Sequence, residues 1–164
     1  MIQITTASPN DVAIISLMAE QIWRPTYYKI ISEQQIKFML KDMYRPASIH
    51  QQMSQGHTFK LLSLNKNYCG FASFSETSAK NVFKIHKLYL QQNYQGMGLG
   101  KALLGAIENE VGLLGASEIQ LHVNRANKAQ FFYLKMGFKI LETVDTPYHH
   151  FLLNDYIMQK KLYR

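Results

Sequence analysis

The chain has 164 residues, of which 47% are hydrophobic, 12% aromatic and 18% charged, a balance that excludes disordered and fibrous classes and suits one folded domain over residues 1–164. A chain of this length buries roughly two-thirds of the surface that its unfolded form exposes, so a substantial core is expected. The formal net charge of +7 points to an anionic partner, but no run of five or more basic residues marks a nucleic-acid tract or a membrane-surface patch.

Ile2-Gln3-Ile4-Thr5 alternates apolar and polar residues and predicts a short edge strand. The start of the chain lacks the basic and apolar regions of a signal peptide, and no later apolar run approaches the roughly 20 residues that cross a bilayer, so a cytoplasmic protein is expected. Ser8-Pro9-Asn10-Asp11 reads as a helix start, with Ser8 as cap and Pro9 at the first helical position. Val12, Ile15, Met18, Ala19 and Ile22 then recur at helical spacing until Trp23-Arg24-Pro25, where the proline is expected to break the helix. An aromatic linker with Tyr27 and Tyr28 leads to Ser32-Glu33-Gln34-Gln35, a capping box that opens a second helix through about Lys41. A further short helical piece is predicted from Pro46 to Gln55, ended by Gly56.

His57 to Leu64 and Tyr68 to Phe74 read as two strands of a hairpin joined by the polar turn Asn65-Lys66-Asn67. Cys69, within the second, is the single cysteine, which excludes an internal disulfide and a thiolate zinc cluster and suits a reducing compartment; no metal is expected. Val82 to Leu90 predicts a strand, Leu99 to Leu114 an amphipathic helix closed by Gly115, and Glu118 to Asn124 a strictly alternating strand. Ala126 to Met136 follows as a helix ending at Gly137, and Phe138 to Val144 and Phe151 to Leu162 are two closing strands around a loop that holds Pro147. This order predicts an α+β fold, a mixed sheet of about seven strands flanked by about four helices, in which Val82–Leu90 and Glu118–Asn124 form a parallel pair joined through a helix.

The most informative segment runs from Lys87 through Leu88, Tyr89 and Leu90 to Gln95-Gly96-Met97-Gly98-Leu99-Gly100-Lys101. A strand leads here through a short loop into a helix whose first turn is rich in glycine, so free N–H groups and the positive end of the helix dipole face outward and a ligand can approach the backbone. That is an anion site. A dinucleotide fingerprint is excluded because Lys101 stands where the third glycine belongs, and a Walker loop is excluded because Ala102 follows Lys101.

Gln95-Gly96-Met97-Gly98-Leu99-Gly100 resembles the Q/R-x-x-G-x-G/A motif of the GNAT N-acetyltransferase superfamily, and the segment from Val123 to Phe138, with Ala129-Gln130-Phe131-Phe132-Tyr133 and the closing Gly137-Phe138, resembles its second signature. The resemblance implies a fold whose two central parallel strands splay apart to admit a thioester. It implies acetyl-CoA as co-substrate, with the amides of Gln95, Gly96, Met97, Gly98, Leu99, Gly100 and Lys101 around its pyrophosphate. The backbone of Leu88, Tyr89 and Leu90 would then lie along its pantetheine arm, which Asn127 or Asn124 would also meet. Lys101 and Lys128 are candidates for its phosphates. The implied reaction is acetyl transfer to a primary amine of a small, polyamine-like molecule or of a peptide. Similar proteins are commonly homodimers, although no residue patch in the sequence marks an interface.

Direct transfer needs a neutral amine, a polarised carbonyl and a proton for the departing thiolate. Tyr133 falls where the superfamily's tyrosine acid sits. For the base, His86 is read as sharing a strand face with Leu88 and Leu90 at a position where relatives often carry glutamate, and His122, on the polar face with Gln120 and Asn124, is its rival. Trp23, Tyr27 and Tyr28 form an aromatic set suited to a cationic amine. A polycation would need acids such as Glu20, Glu33 and Asp42 to gather near them. The alternative is a catalytically inactive regulator that binds acetyl-CoA.

Overall fold

The computed structural model describes residues 1–163. Seven strands form one mixed sheet: β1 (Ile2–Thr6), β2 (Thr58–Leu64), β3 (Asn67–Glu76), β4 (Val82–Leu90), β5 (Glu118–Asn124), β6 (Lys139–Tyr148) and β7 (Phe151–Lys161), in the spatial order β1-β2-β3-β4-β5-β7-β6. Every neighbouring pair is antiparallel except β4 and β5, which run parallel. The five α-helices are α1 (Val12–Tyr27), α2 (Glu33–Tyr44), α3 (Pro46–Ser54), α4 (Leu99–Leu113) and α5 (Ala129–Lys135).

Two apolar clusters separate the helices onto the two faces of the sheet. Ile15, Ile22 and Trp23 of α1, Ile36 and Leu40 of α2 and Ile49 of α3 pack with Phe59, Leu61 and Phe71 of the sheet. Leu103, Leu104, Ile107 and Val111 of α4 and Tyr133 of α5 pack with Phe74, Ile85, Ile119 and Leu121 on the other face. Each of these aliphatic side chains contributes about 1.5–3 kcal/mol by leaving water. Covering both faces is what a central parallel pair requires.

Three expectations are corrected. First, α1 does not break at Trp23-Arg24-Pro25 but continues to Tyr27 with Pro25 inside it. The backbone bond lost at the proline falls in the last turn, Thr26 Oγ1 donates to the Ile22 carbonyl at 2.7 Å, and burial of Trp23 and Tyr27, with ring centroids 4.5 Å apart, holds that turn in place. Second, α5 starts at Ala129 rather than Ala126, because Asn124 and Asn127 accept the N–H groups of Ala126 and Ala129 on their own side-chain oxygens, each at 2.9 Å, which competes with helical pairing. Third, Pro147 lies within β6 opposite Leu152 instead of in a loop. Since β6 ends the sheet, a missing N–H on its outer side breaks no ladder. The β2–β3 hairpin turns on Asn65 and Lys66 alone, both at positive φ (51° and 69°), the two-residue geometry that matches strand twist.

Candidate active site

β4 and β5 pair only from Val82 opposite Glu118 to Ile85 opposite Leu121. Beyond that point β4 stays bonded to β3 as far as Leu90, and β5 to β7 as far as Asn124, so the seam between the two parallel strands opens. The backbone groups of Leu88, Tyr89 and Leu90 on the β5 side therefore have no strand to pair with. A cleft of about 1110 Å³ runs through this opening and is lined by residues of both strands, the glycine loop, α1, α2 and α5.

At one end the cleft meets the start of α4. Gly98 is the N-cap, no side chain caps the helix, and Gly96 and Gly98 both stand at φ 78°, where a side chain would strain the backbone. Gln95, Gly96, Gly98, Gly100 and Lys101 line the cleft, and so do Lys128, Lys135 and Asn127. Met97 instead points to solvent and the Leu99 side chain is buried in the core, so those two residues have only their backbones to offer a ligand. An uncapped helix start, an unpaired strand edge and three lysines fit a diphosphate joined to an amide-bearing arm, the chemistry of coenzyme A.

Tyr133 of α5 lines the cleft and is buried beside Phe132 and Phe138, with ring centroids at 5.3 and 5.6 Å. Burial, and after it the nearby Tyr27, push its phenol well above the ordinary range, so it stays protonated. Across the cleft Tyr27 and Tyr89 meet through their phenol oxygens at 2.9 Å.

The register of β4 against β3 passes from Ile85–Phe74 to Lys87–Ser73, which leaves His86 as an extra, bulged residue. The bulge reverses the alternation: Ile85 packs with Leu88 and Leu90 against the α4 face, while Tyr89 packs against the α1–α3 face. His86 therefore does not share the regular face with Leu88 and Leu90 that its spacing predicted. Its Nε2 lies 2.7 Å from Ser75 Oγ and its ring stacks on His57 at 4.2 Å between centroids, only 11° from parallel. Desolvation and then the neighbouring His57 hold its imidazole down to about 3, so it is neutral at any ordinary pH. His122, on β5, also lines the cleft, with Nδ1 4.0 Å from Asp155 Oδ2 on β7. Burial and then Lys84 lower its imidazole, while burial raises the Asp155 carboxyl.

Trp23 and Tyr27 line the cleft, but Tyr28 is 61% exposed and stands apart from it, with Lys29 Nζ over its ring at 5.4 Å. The three acids named as a polycation trap are engaged elsewhere: Glu20 and Glu33 pair with Arg24, and Asp42 accepts from Tyr148.

The model of the acetyltransferase (GNAT) domain matches residues 28–156, which takes in β2 to β6, the glycine loop and α5. The chain is a GNAT acetyltransferase. Among curated members of the family, the spermidine N(1)-acetyltransferase of Thermoplasma acidophilum is 28% identical over 98% of this chain and 97% of its own. The crystal structure of the PaiA N-acetyltransferase from T. acidophilum, in complex with coenzyme A, superimposes with a TM-score of 0.84 at 28% identity, covering 99% of both chains. The [ribosomal protein bS18]-alanine N-acetyltransferase of Haemophilus influenzae is 31% identical over 52% of this chain and 58% of its own. This acetyltransferase takes coenzyme A chemistry from its family and its polar lining from its own sequence. The lining includes residues to which sequence reasoning assigned no role, namely Tyr44, His57, Lys84, Lys87 and Asp155. Only the two lysines left a signal, as charges inside the apolar strand β4. Among the described residues, no group of three or more His, Cys, Asp or Glu is placed to hold a metal ion, and no helix is long and apolar enough to cross a membrane.

Proposed function

We propose that this GNAT protein moves the acetyl group of acetyl-CoA directly onto a primary amine of a small molecule or peptide, with Tyr133 as acid and His122 as the acceptor of the amine proton. The observation that carries this reading is that the Tyr133 phenol and the His122 imidazole, held on α5 and β5, line one cleft at the opened β4/β5 seam.

Acetyl-CoA supplies an activated carbonyl whose C–S bond breaks as the new C–N bond forms. Unpaired backbone groups of Leu88 to Leu90 and the free amides at the start of α4 bind and orient it. His122, neutral at physiological pH, takes the proton that the amine sheds, and Asp155 beside Nδ1 orients the ring. Tyr133 gives its proton to the departing sulfur and regains one from water in the cleft. His86 is too weak a base for this role once burial and His57 have acted on it; held by Ser75 and His57, it ties the bulge of β4 to its neighbours. A cytoplasmic setting, where acetyl-CoA is made and thiols stay reduced, suits both the cofactor and the free Cys69.

The test is thiol release from acetyl-CoA with a panel of polyamines, amino acids, aminoglycosides and short peptides. Release with at least one class is the expected result. Saturable coenzyme A binding with no release for any of them would instead support a cofactor-binding regulator.

A further inference from the structure

The α1–α3 side of the cleft contains a cation, Lys87, with no counter-charge among the described residues. Lys87 is 4% exposed, its Nζ donates to Gln52 Oε1 at 2.7 Å, and it sits 5.4 Å from the Tyr44 ring centroid and 5.5 Å from that of Phe59. Its ammonium carries three donors, and a neutral amide with two ring faces leaves both charge and donors under-used. Desolvation, then Lys84, lower it to about 8. A buried charge without an opposite partner is costly, and this cost is relieved when an anion binds beside it.

Two further donors in the same wall have no partner of normal hydrogen-bond geometry among the described residues. Trp23 and Tyr44 line the cleft, and their buried Nε1 and Oη make no hydrogen bond of normal geometry among the described residues, although the two rings lie 5.3 Å apart and Trp23 and Tyr89 both stand close enough to hold the Tyr44 phenol down against the rise that burial causes. Trp23 is 3% and Tyr44 1% exposed, so water does not reach them freely. Buried polar atoms are ordinarily satisfied, and an indole N–H can only donate. His57 Nδ1 is a third such atom on this wall. Among the described residues lining the cleft, Asp155 is the one acid, and it faces Lys84 and His122.

Donors without acceptors and a cation without an anion are complementary to a ligand that only accepts and is negative. We propose that Lys87, Trp23 and Tyr44 form a carboxylate subsite and that the acceptor is a small amine bearing a carboxyl group, an amino acid rather than a polyamine. This deepens the acetyl-transfer reading above and rests on it. With the carboxylate held on the α1–α3 side, the amine end extends toward the seam where Tyr133 and His122 stand. A polyamine offers no acceptor to these donors and adds positive charge to Lys84 and Lys87.

The experiment compares matched acceptors that differ by one carboxyl group, lysine with cadaverine and ornithine with putrescine, in the full-length protein. The expected kcat/KM is about tenfold or more in favour of the amino acid, the size of one buried charge-assisted contact. Lys87→Met should bring each pair to within about threefold, and Trp23→Phe, which keeps an aromatic ring and removes the donor, should lower the preference part-way. A second readout needs no turnover: with coenzyme A bound, calorimetry compares Nε-acetyl-lysine with N-acetylcadaverine. A preference for the carboxylate-bearing product that Lys87→Met abolishes supports the subsite even if no acceptor is turned over, in which case the transfer reading alone has failed. Equal or tighter binding of the carboxyl-free product overturns the subsite, as does a preference that survives in Lys87→Met protein of unchanged coenzyme A affinity. Should Lys87→Met lose coenzyme A binding, the Trp23→Phe ratio decides in the same way.

Discussion

His86 stacks face to face on His57, 4.2 Å between ring centroids, and the two imidazoles join the bulge of β4 to the segment entering β2. Neither tolerates charge well: desolvation lowers both, and each also feels the positive charge of Lys84 and Lys87.

Acid sensitivity follows from this pair. The folded value of His86 is about 3 against an unfolded 6.5, so the unfolded chain binds the extra proton between those two values. The neutral ring's contribution is complete above about pH 6.5 and is lost as pH falls toward 3. The thermal midpoint is expected to drop on acidification from pH 7 to 5, and to drop less in His86→Gln. Equal losses in the two proteins would show that the stacked pair does not govern the effect.

Tyr133→Phe removes the proposed acid while keeping the ring that packs against Phe132 and Phe138. Turnover is expected to fall by about 10²-fold, within the range for one general acid, while coenzyme A affinity changes less than about twofold. Steady-state kinetics and calorimetry measure the two sides. Because burial keeps this phenol protonated well past its usual range, wild-type rates should show no alkaline decline from it between pH 8 and 10.

For the proposed base, the sign runs the other way. A neutral His122 is the active form, so kcat/KM is expected to fall below the ring's lowered value, on the acid side of 6.5. His122→Gln should remove this acid limb and cost about 10²-fold in rate. His86→Gln should keep the limb. A limb that disappears with His86 instead would reassign the base.

The glycine loop gives a prediction that depends on backbone alone. Gly98→Val places a β-branched residue at φ 78°, at a cost of about 1–2 kcal/mol, and the strain acts on the first amides of α4. Coenzyme A affinity should fall about tenfold or more, while the strain lowers the thermal midpoint by only about 2–8 °C and the protein stays folded at the assay temperature. Gly112→Ala, in the same helix with open space around it, should leave affinity alone.

Much of the cofactor end was legible in the chain because its signals are local. The limits of β4 and β5 came directly from alternation and turn chemistry, and Gly96 and Gly98 announced a backbone open to a ligand, to which the structure adds a positive φ at both. The helix ends were less legible. Nothing within reach of Pro25 reveals that Trp23 and Tyr27 will be buried together, and burial is what carries α1 past the proline.

The sequence by itself therefore determined the elements and the uncapped, glycine-rich helix start, since each depends on residues a few positions apart, and through the strand–helix–strand order it determined the parallel pair. Tertiary structure alone decided where His86 points, because a bulge is a mismatch of register between two strands and belongs to neither. It also brought Lys87, 35 residues from Gln52 and 43 from Tyr44, against both, and left Trp23 Nε1 and Tyr44 Oη buried with no hydrogen bond of normal geometry among the described residues. Charge can be counted along a chain. Whether that charge is buried and unanswered depends on which distant side chains the fold packs around it.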